Sequence, residues 1–134
     1  MLFVGFFFNF VAKYDEMKKR IRSFGYALKG INTVFGKEAN MNIHLIMTVL
    51  VVICGFLFSI SITEWMLCIV CFSVVISLEM MNSAIENLVD LVSPEKNNLA
   101  GKAKDIAAGA VLVAAICAAI VGLLIFVPKG WALL

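Results

Sequence analysis

The apolar stretch WMLCIVCFSVVISL, residues 65–78, runs without a turn signal into EMMNSAIENLVD, residues 79–90. The first stretch predicts a membrane-spanning helix, and the second puts polar groups at its end. At spacings of 3, 4 and 4, four of them share one helical face: Glu79, Asn82, Glu86 and Asp90. Ionisable groups in a membrane span are costly and usually mark function. This face is therefore the candidate site.

The composition predicts one integral membrane domain. Of 134 residues, 63% are hydrophobic and 15% are charged, whereas apolar residues make up roughly half or less of a soluble domain. A net charge of +2 does not suggest a nucleic-acid partner. The four cysteines lie inside apolar runs, where they are expected to be packed free thiols: Cys54, Cys68, Cys71 and Cys117.

Hydropathy predicts three spans, over about residues 43–62, 63–92 and 102–127, each long enough to cross a hydrocarbon core of about 30 Å. Ser93-Pro94 ends the second span, because proline disfavours helix in the residue before it. Residues 15–35 combine an apolar stripe with a basic face, which predicts an amphipathic surface helix; a helix packed across the base of the bundle is the alternative. Residues 1–14 form an apolar extension, either an interfacial anchor or a start assigned upstream of the real one. Residues 15–134 form the membrane domain.

Positive charge predicts the topology. Seven Lys or Arg residues precede residue 38, three lie in residues 93–104, one follows residue 127, and none lies in residues 59–64. The N-terminus is therefore expected in the cytoplasm and the C-terminus outside. Glu79 then lies about 24 Å along the second span from Thr63, near its cytoplasmic end. Glu38, Lys104 and Asp105 are expected at the same level, from two other segments.

Clustered carboxylates without a local cation suit Mg²⁺, which takes oxygen ligands and tolerates bound phosphate. A lysine beside them would offset phosphate charge, and phosphoryl transfer needs these parts. Neither a P-loop nor a G-x-G-x-x-G occurs, so a phosphate-transfer enzyme would use another design. Three alternatives stay open: polar residues that only join helices, a small transporter or ion-conducting oligomer, and a regulatory or structural membrane subunit.

The string E-x-x-N-S-A-I-E-x-x-x-D at residues 79–90, with A-K-D at 103–105, resembles the prokaryotic diacylglycerol kinase family. These are small membrane lipid kinases, and their Gram-positive members are mostly undecaprenol kinases. S-F-x-x-A-x-x-G-I at 23–31 and E-x-N-x-x-I-H at 38–44 resemble the family's surface helix and its entry to the first span. The resemblance covers about residues 19–127 and implies an all-α homotrimer in the bacterial cytoplasmic membrane.

The resemblance also implies the reaction, a Mg²⁺-dependent transfer of the γ-phosphate of ATP to a lipid hydroxyl. Undecaprenol is the expected acceptor and diacylglycerol the alternative. Glu79 matches the proposed general base, and Glu38 and Glu86 match the metal-binding residues. The implied nucleotide-binding residues are Lys19, Tyr26, Glu38, Glu86, Lys104 and Asp105. Asn82 and Asp90 match supporting polar residues.

The chain departs from the family pattern at three places. Asn97 stands where a histidine of the nucleotide loop is frequent, and Asn42 stands where a basic residue is common. His44 resembles the undecaprenol kinase pattern and stands where the diacylglycerol kinases of other bacteria often have an acidic residue. Because a three-span protomer has few walls to enclose ATP, we expect active sites that are shared between neighbouring chains.

Overall fold

The computed structural model describes residues 2–36 and 38–132, and within them it contains four α-helices and no strand. The helices are α1 (Leu2–Val34), α2 (Ala39–Leu57), α3 (Ile62–Val92) and α4 (Asn98–Trp131). The predicted all-α fold is confirmed. The chain divides into two compact units, Met1–Phe35 and Gly36–Leu134.

The first unit holds α1, a single helix of 33 residues. It runs across residue 14, where a boundary between an extension and the membrane domain is predicted. That division stays a prediction, as does the amphipathic character of the helix. Among its described side chains, the Lys18 ammonium lies 4.7 Å above the centre of the Tyr14 ring.

The second unit holds the three predicted spans. Of the described helices, α2, α3 and α4 are long and apolar enough to cross a membrane. Their 19, 31 and 34 residues correspond to about 28, 46 and 51 Å at 1.5 Å per residue. Because the hydrocarbon core is about 30 Å thick, α3 and α4 are several turns longer than a crossing requires.

The first span ends five residues earlier than predicted, because a turn occupies residues 58–61. Ser59 has a φ of 49° there. Ser61 then caps α3: its hydroxyl accepts a hydrogen bond from the Glu64 N–H at 3.3 Å, and the Glu64 carboxylate accepts from the Ser61 N–H at 2.6 Å. This reciprocal capping box fixes the start of α3 at Ile62.

The third span is longer than predicted at both ends. It begins at Asn98 rather than near residue 102, because the Asn97 side-chain oxygen accepts hydrogen bonds from the N–H groups of Leu99 (2.8 Å) and Ala100 (3.4 Å). It continues through Pro128 to Trp131 instead of ending at residue 127. Proline removes one main-chain donor, but the Pro128 carbonyl still accepts from the Ala132 N–H at 3.2 Å.

The middle helix of this unit, α3, packs against both α2 and α4. A buried cluster of Ile60, Cys68 and Ile125 lies at the end of the unit that holds the α2–α3 turn. The approach of α2 to α3 there requires a glycine, since a Cβ on Gly55 would lie 2.6 Å from the Trp65 ring. All four cysteines are free thiols.

Two ion pairs show that α3 and α4 are antiparallel. Glu64 near the start of α3 lies 3.3 Å from the ammonium of Lys129 near the end of α4. Asp90 near the end of α3 lies 2.9 Å from the ammonium of Lys104 near the start of α4. The two carboxylates are 26 positions apart in the sequence, which corresponds to about 39 Å of helix. The two ion pairs are therefore farther apart than the hydrocarbon core is thick.

Candidate active site

Buried polar side chains are concentrated on α3. Among the described residues they are Glu79, Asn82 and Ser83, with exposed fractions of 2%, 5% and 2%. Most large apolar side chains of the same unit are exposed instead, so few side chains of this unit are buried. The buried polar side chains described here all belong to the E-x-x-N-S string at residues 79–83.

Glu38 contacts this polar face from a different helix. It is the N-cap residue of α2, and its carboxylate accepts a hydrogen bond from the Ser83 hydroxyl of α3. The Ser83 hydroxyl also lies 3.0 Å from the main-chain carbonyl of Glu79. The expected approach of Glu38 to the acidic face of α3 is therefore present, and Ser83 is the residue that mediates it.

Asn82 and Glu86 form the next layer of the same face. The Asn82 amide nitrogen donates to the Glu86 carboxylate at 3.3 Å. The Asn82 amide oxygen is buried and has no hydrogen-bond partner among the described residues. An unsatisfied buried acceptor costs about 1–3 kcal/mol. A donor or cation that reached this oxygen would offset that cost.

The last layer joins α3 to α4. Both carboxylate oxygens of Asp90 accept from the Lys104 ammonium, at 2.9 and 3.1 Å. Lys104 and Asp105 line an open pocket of about 590 Å³ together with the α3–α4 connection. Lys104 is thus held beside the acidic face by a carboxylate and remains partly accessible, as a group that binds a soluble anion must be.

Two predicted nucleotide-binding residues, Lys19 and Tyr26, lie on α1 in the other unit. Both side chains are exposed, and their role in binding ATP stays a prediction. Two contacts of the structure are not predicted from the sequence. One is the bond from Ser83 to Glu38, for which the position of Ser83 beside Asn82 is the only signal. The other is the capping of α4 by Asn97, which the preference for asparagine at N-caps could have indicated.

The donor atoms of this face suit a hard divalent cation. Within the described parts of the chain, no group of three or more His, Cys, Asp or Glu side chains is placed to hold a metal. Mg²⁺ does not require such a cage, because it is usually bound by one or two carboxylates together with water and substrate phosphates. Glu38, Glu86 and the unpartnered Asn82 oxygen supply oxygen donors of that kind.

Over most of its length the chain is similar to known proteins. The model that describes the prokaryotic diacylglycerol kinase family matches residues 25–126. The undecaprenol kinase of Bacillus subtilis is 44% identical over 115 residues, which cover 86% of this chain and 94% of that protein. The diacylglycerol kinase of Escherichia coli K12 is 33% identical over 100 residues, 75% of this chain and 82% of that protein.

A diacylglycerol kinase of Synechocystis is 38% identical over 107 residues, 79% of this chain and 61% of that protein. The family match spans all of α2 and α3 and most of α4, and it therefore contains the whole E-x-x-N-S string. The family and the enzyme class implied by the motifs are both confirmed. This chain belongs to the prokaryotic diacylglycerol kinase family and is a membrane lipid kinase.

Proposed function

We propose that this protein transfers the γ-phosphate of ATP to undecaprenol and so makes undecaprenyl phosphate. The observation that carries the proposal is the 44% identity to an undecaprenol kinase along 94% of that enzyme's length. Diacylglycerol is the second candidate acceptor, because the relatives at 33–38% identity are diacylglycerol kinases. His44, which resembles the undecaprenol kinase pattern, favours the polyprenol.

Glu79 is the proposed general base. Its carboxylate accepts the proton of the lipid hydroxyl while the hydroxyl oxygen forms a bond to the γ-phosphorus. The bond between that phosphorus and the β–γ bridging oxygen breaks, and ADP leaves. Burial of Glu79, with 2% of its surface exposed, supports this role. Because water does not surround the carboxylate, the substrate hydroxyl can donate its proton to it without competition from solvent.

Glu38 and Glu86 would hold Mg²⁺, with the Asn82 oxygen as a further donor. A cation held there would supply positive charge against the negative charge of the transferring phosphoryl group. The chain's own cation for this purpose is Lys104, which Asp90 holds at 2.9 Å. Lys104 and Asp105 are proposed to contact the nucleotide from the open pocket, and Lys19 and Tyr26 are proposed as further contacts from α1.

We further propose a homotrimer with the N-terminus in the cytoplasm, the C-terminus outside and residues 15–35 as an amphipathic helix on the cytoplasmic surface. The distribution of Lys and Arg supports the orientation. A three-span protomer has few walls to enclose ATP, which supports an assembly with active sites shared between neighbouring chains. Residues 1–14 are proposed as an extension outside the membrane domain.

The proposal is tested by a transfer assay with γ-labelled ATP on purified protein in micelles. Undecaprenol and diacylglycerol are offered in parallel, with Mg²⁺ present or withheld. Mg²⁺-dependent labelling of undecaprenol, far faster than that of diacylglycerol, is expected. Faster labelling of diacylglycerol would replace the acceptor and keep the reaction, whereas labelling without Mg²⁺ would contradict the roles of Glu38 and Glu86.

A further inference from the structure

The Glu38 side chain does not cap the helix that it precedes, α2. At an N-cap, a side-chain oxygen normally accepts a hydrogen bond from an N–H of the first helical turn. Glu38 is the N-cap residue of α2 and makes no such bond. Its carboxylate is directed instead to the Ser83 hydroxyl, 45 residues away in the sequence and on another helix.

The Ser83 hydroxyl has one proton and two acceptors within reach. One is the Glu38 carboxylate, and the other is the Glu79 main-chain carbonyl at 3.0 Å. A hydrogen bond to a charged group is the stronger of the two, and Ser83 is 2% exposed, so water does not compete for this proton. If the carboxylate turns away, the proton can rotate to the carbonyl, and no buried donor is left unsatisfied.

We propose that Ser83 is a positioning residue that holds the Glu38 carboxylate against α3 until it takes up a divalent cation. This inference rests on the proposed function, since it assigns Glu38 to the cation. Ser83 fixes one ligand on the face of α3 that also carries Asn82 and Glu86, and ordering it before the cation arrives lowers the cost of binding. Because the Glu79 carbonyl can accept the Ser83 proton instead, Ser83 can release the carboxylate without leaving a buried donor unsatisfied.

The chain offers a matched control in Ser73, on the same helix. The Ser73 hydroxyl donates to the Ile69 carbonyl at 2.8 Å, just as Ser83 can donate to the carbonyl four residues before it. Ser73 is exposed and belongs to no part of the site. Ser73→Ala therefore removes the hydrogen bond within the helix alone, whereas Ser83→Ala also removes the bond to Glu38.

The test measures binding of Mn²⁺ by electron paramagnetic resonance, on the full-length protein in micelles with a non-hydrolysable ATP analogue. Ser83→Ala should raise the Mn²⁺ dissociation constant about tenfold, equivalent to about 1.4 kcal/mol, and Ser73→Ala should leave it unchanged. In a Glu38→Gln background, Ser83→Ala should have no further effect. In steady-state assays, Ser83→Ala should raise the Mg²⁺ concentration that gives half-maximal rate more than it lowers kcat.

An equal effect of Ser83→Ala in both backgrounds, or no effect in either, would overturn the proposal. Ser83→Cys keeps nearly the same volume with a weaker donor; if Ser83→Ala does not fold, this variant should show a severalfold rise that depends on Glu38 in the same way. The lipid assay is independent of these measurements. Glu38-dependent Mn²⁺ binding in a protein that phosphorylates no lipid would refute the proposed function and uphold the role of Ser83.

Discussion

Lys104 of α4 donates to both carboxylate oxygens of Asp90 at the end of α3, at 2.9 and 3.1 Å. The side chains are 35% and 68% exposed, and an exposed pair of this kind contributes little to stability because solvent and salt screen it. The pair therefore does little to hold the helices together. Its main effect is to keep a cation at a defined place beside Glu86 and the open pocket.

Replacement of Lys104 by methionine should raise the KM for ATP about tenfold or more, because a cation that offsets phosphate charge is lost. The free energy of unfolding should stay nearly unchanged, because the pair with Asp90 is exposed. Lys129→Met is the matched control, since Lys129 pairs with Glu64 of the same two helices at the opposite end. Equal kinetic effects of the two substitutions would contradict a nucleotide contact at Lys104.

Glu79→Gln should reduce phosphate transfer by about 10²–10⁴-fold, the range expected for loss of a general base. The amide keeps the size of the buried side chain, so thermal unfolding and assembly should be retained. Glu64→Gln makes the same chemical change at the far end of α3 and should leave transfer nearly unchanged. Persistence of transfer in Glu79→Gln would show that another group takes the proton.

Mixed assemblies test whether active sites are shared between chains. Glu79→Gln chains and Glu86→Gln chains are each expected to be inactive alone. If one site draws these residues from two protomers, co-assembled chains should regain part of the transfer rate, because some sites then contain both carboxylates. Measured rates that stay at the level of the separate variants would place each site within a single chain.

Asn97→Ala should destabilise the protein by about 1 kcal/mol, the usual cost of removing an N-cap side chain. The lost contacts are the bonds from the Leu99 and Ala100 N–H groups. Asn97→Asp keeps an acceptor oxygen and should unfold like the parent, and Asn98→Ala, an exposed neighbour, serves as the control. If Asn97→Ala changes the KM for ATP and leaves thermal unfolding unchanged, Asn97 is a nucleotide contact rather than a cap.

Much of the fold was predictable because membrane spans follow from hydropathy alone. Three apolar runs gave three helices, and Ser93-Pro94 ended α3 as predicted. The errors lie at helix ends, where single side chains decide. The capping oxygen of Asn97 starts α4 four residues early, and the turn at Ser59 ends α2 five residues early. Such local hydrogen bonds leave no trace in a hydropathy average.

The candidate site was predictable as a set of residues but not as a set of contacts. Helical spacing placed Glu79, Asn82 and Glu86 on one face of α3. Which partner Glu38 takes depends on how α2 lies against α3, and that is decided by packing around positions such as Gly55 and Trp65. The pairing of Glu38 with Ser83 therefore became visible only in three dimensions.

Helices α2 and α3 form a hairpin, and Glu38 and Ser83 lie at nearly equal distances from its turn. From the turn, Glu38 lies about 30 Å back along α2 and Ser83 about 33 Å forward along α3. One extra residue within α2 would leave its hydropathy intact but would rotate Glu38 by about 100° about the helix axis. The length of α2 therefore matters to the site as well as its hydropathy. Residues 39–57 carry no proposed catalytic group, yet their number decides whether the Glu38 carboxylate meets the Ser83 hydroxyl.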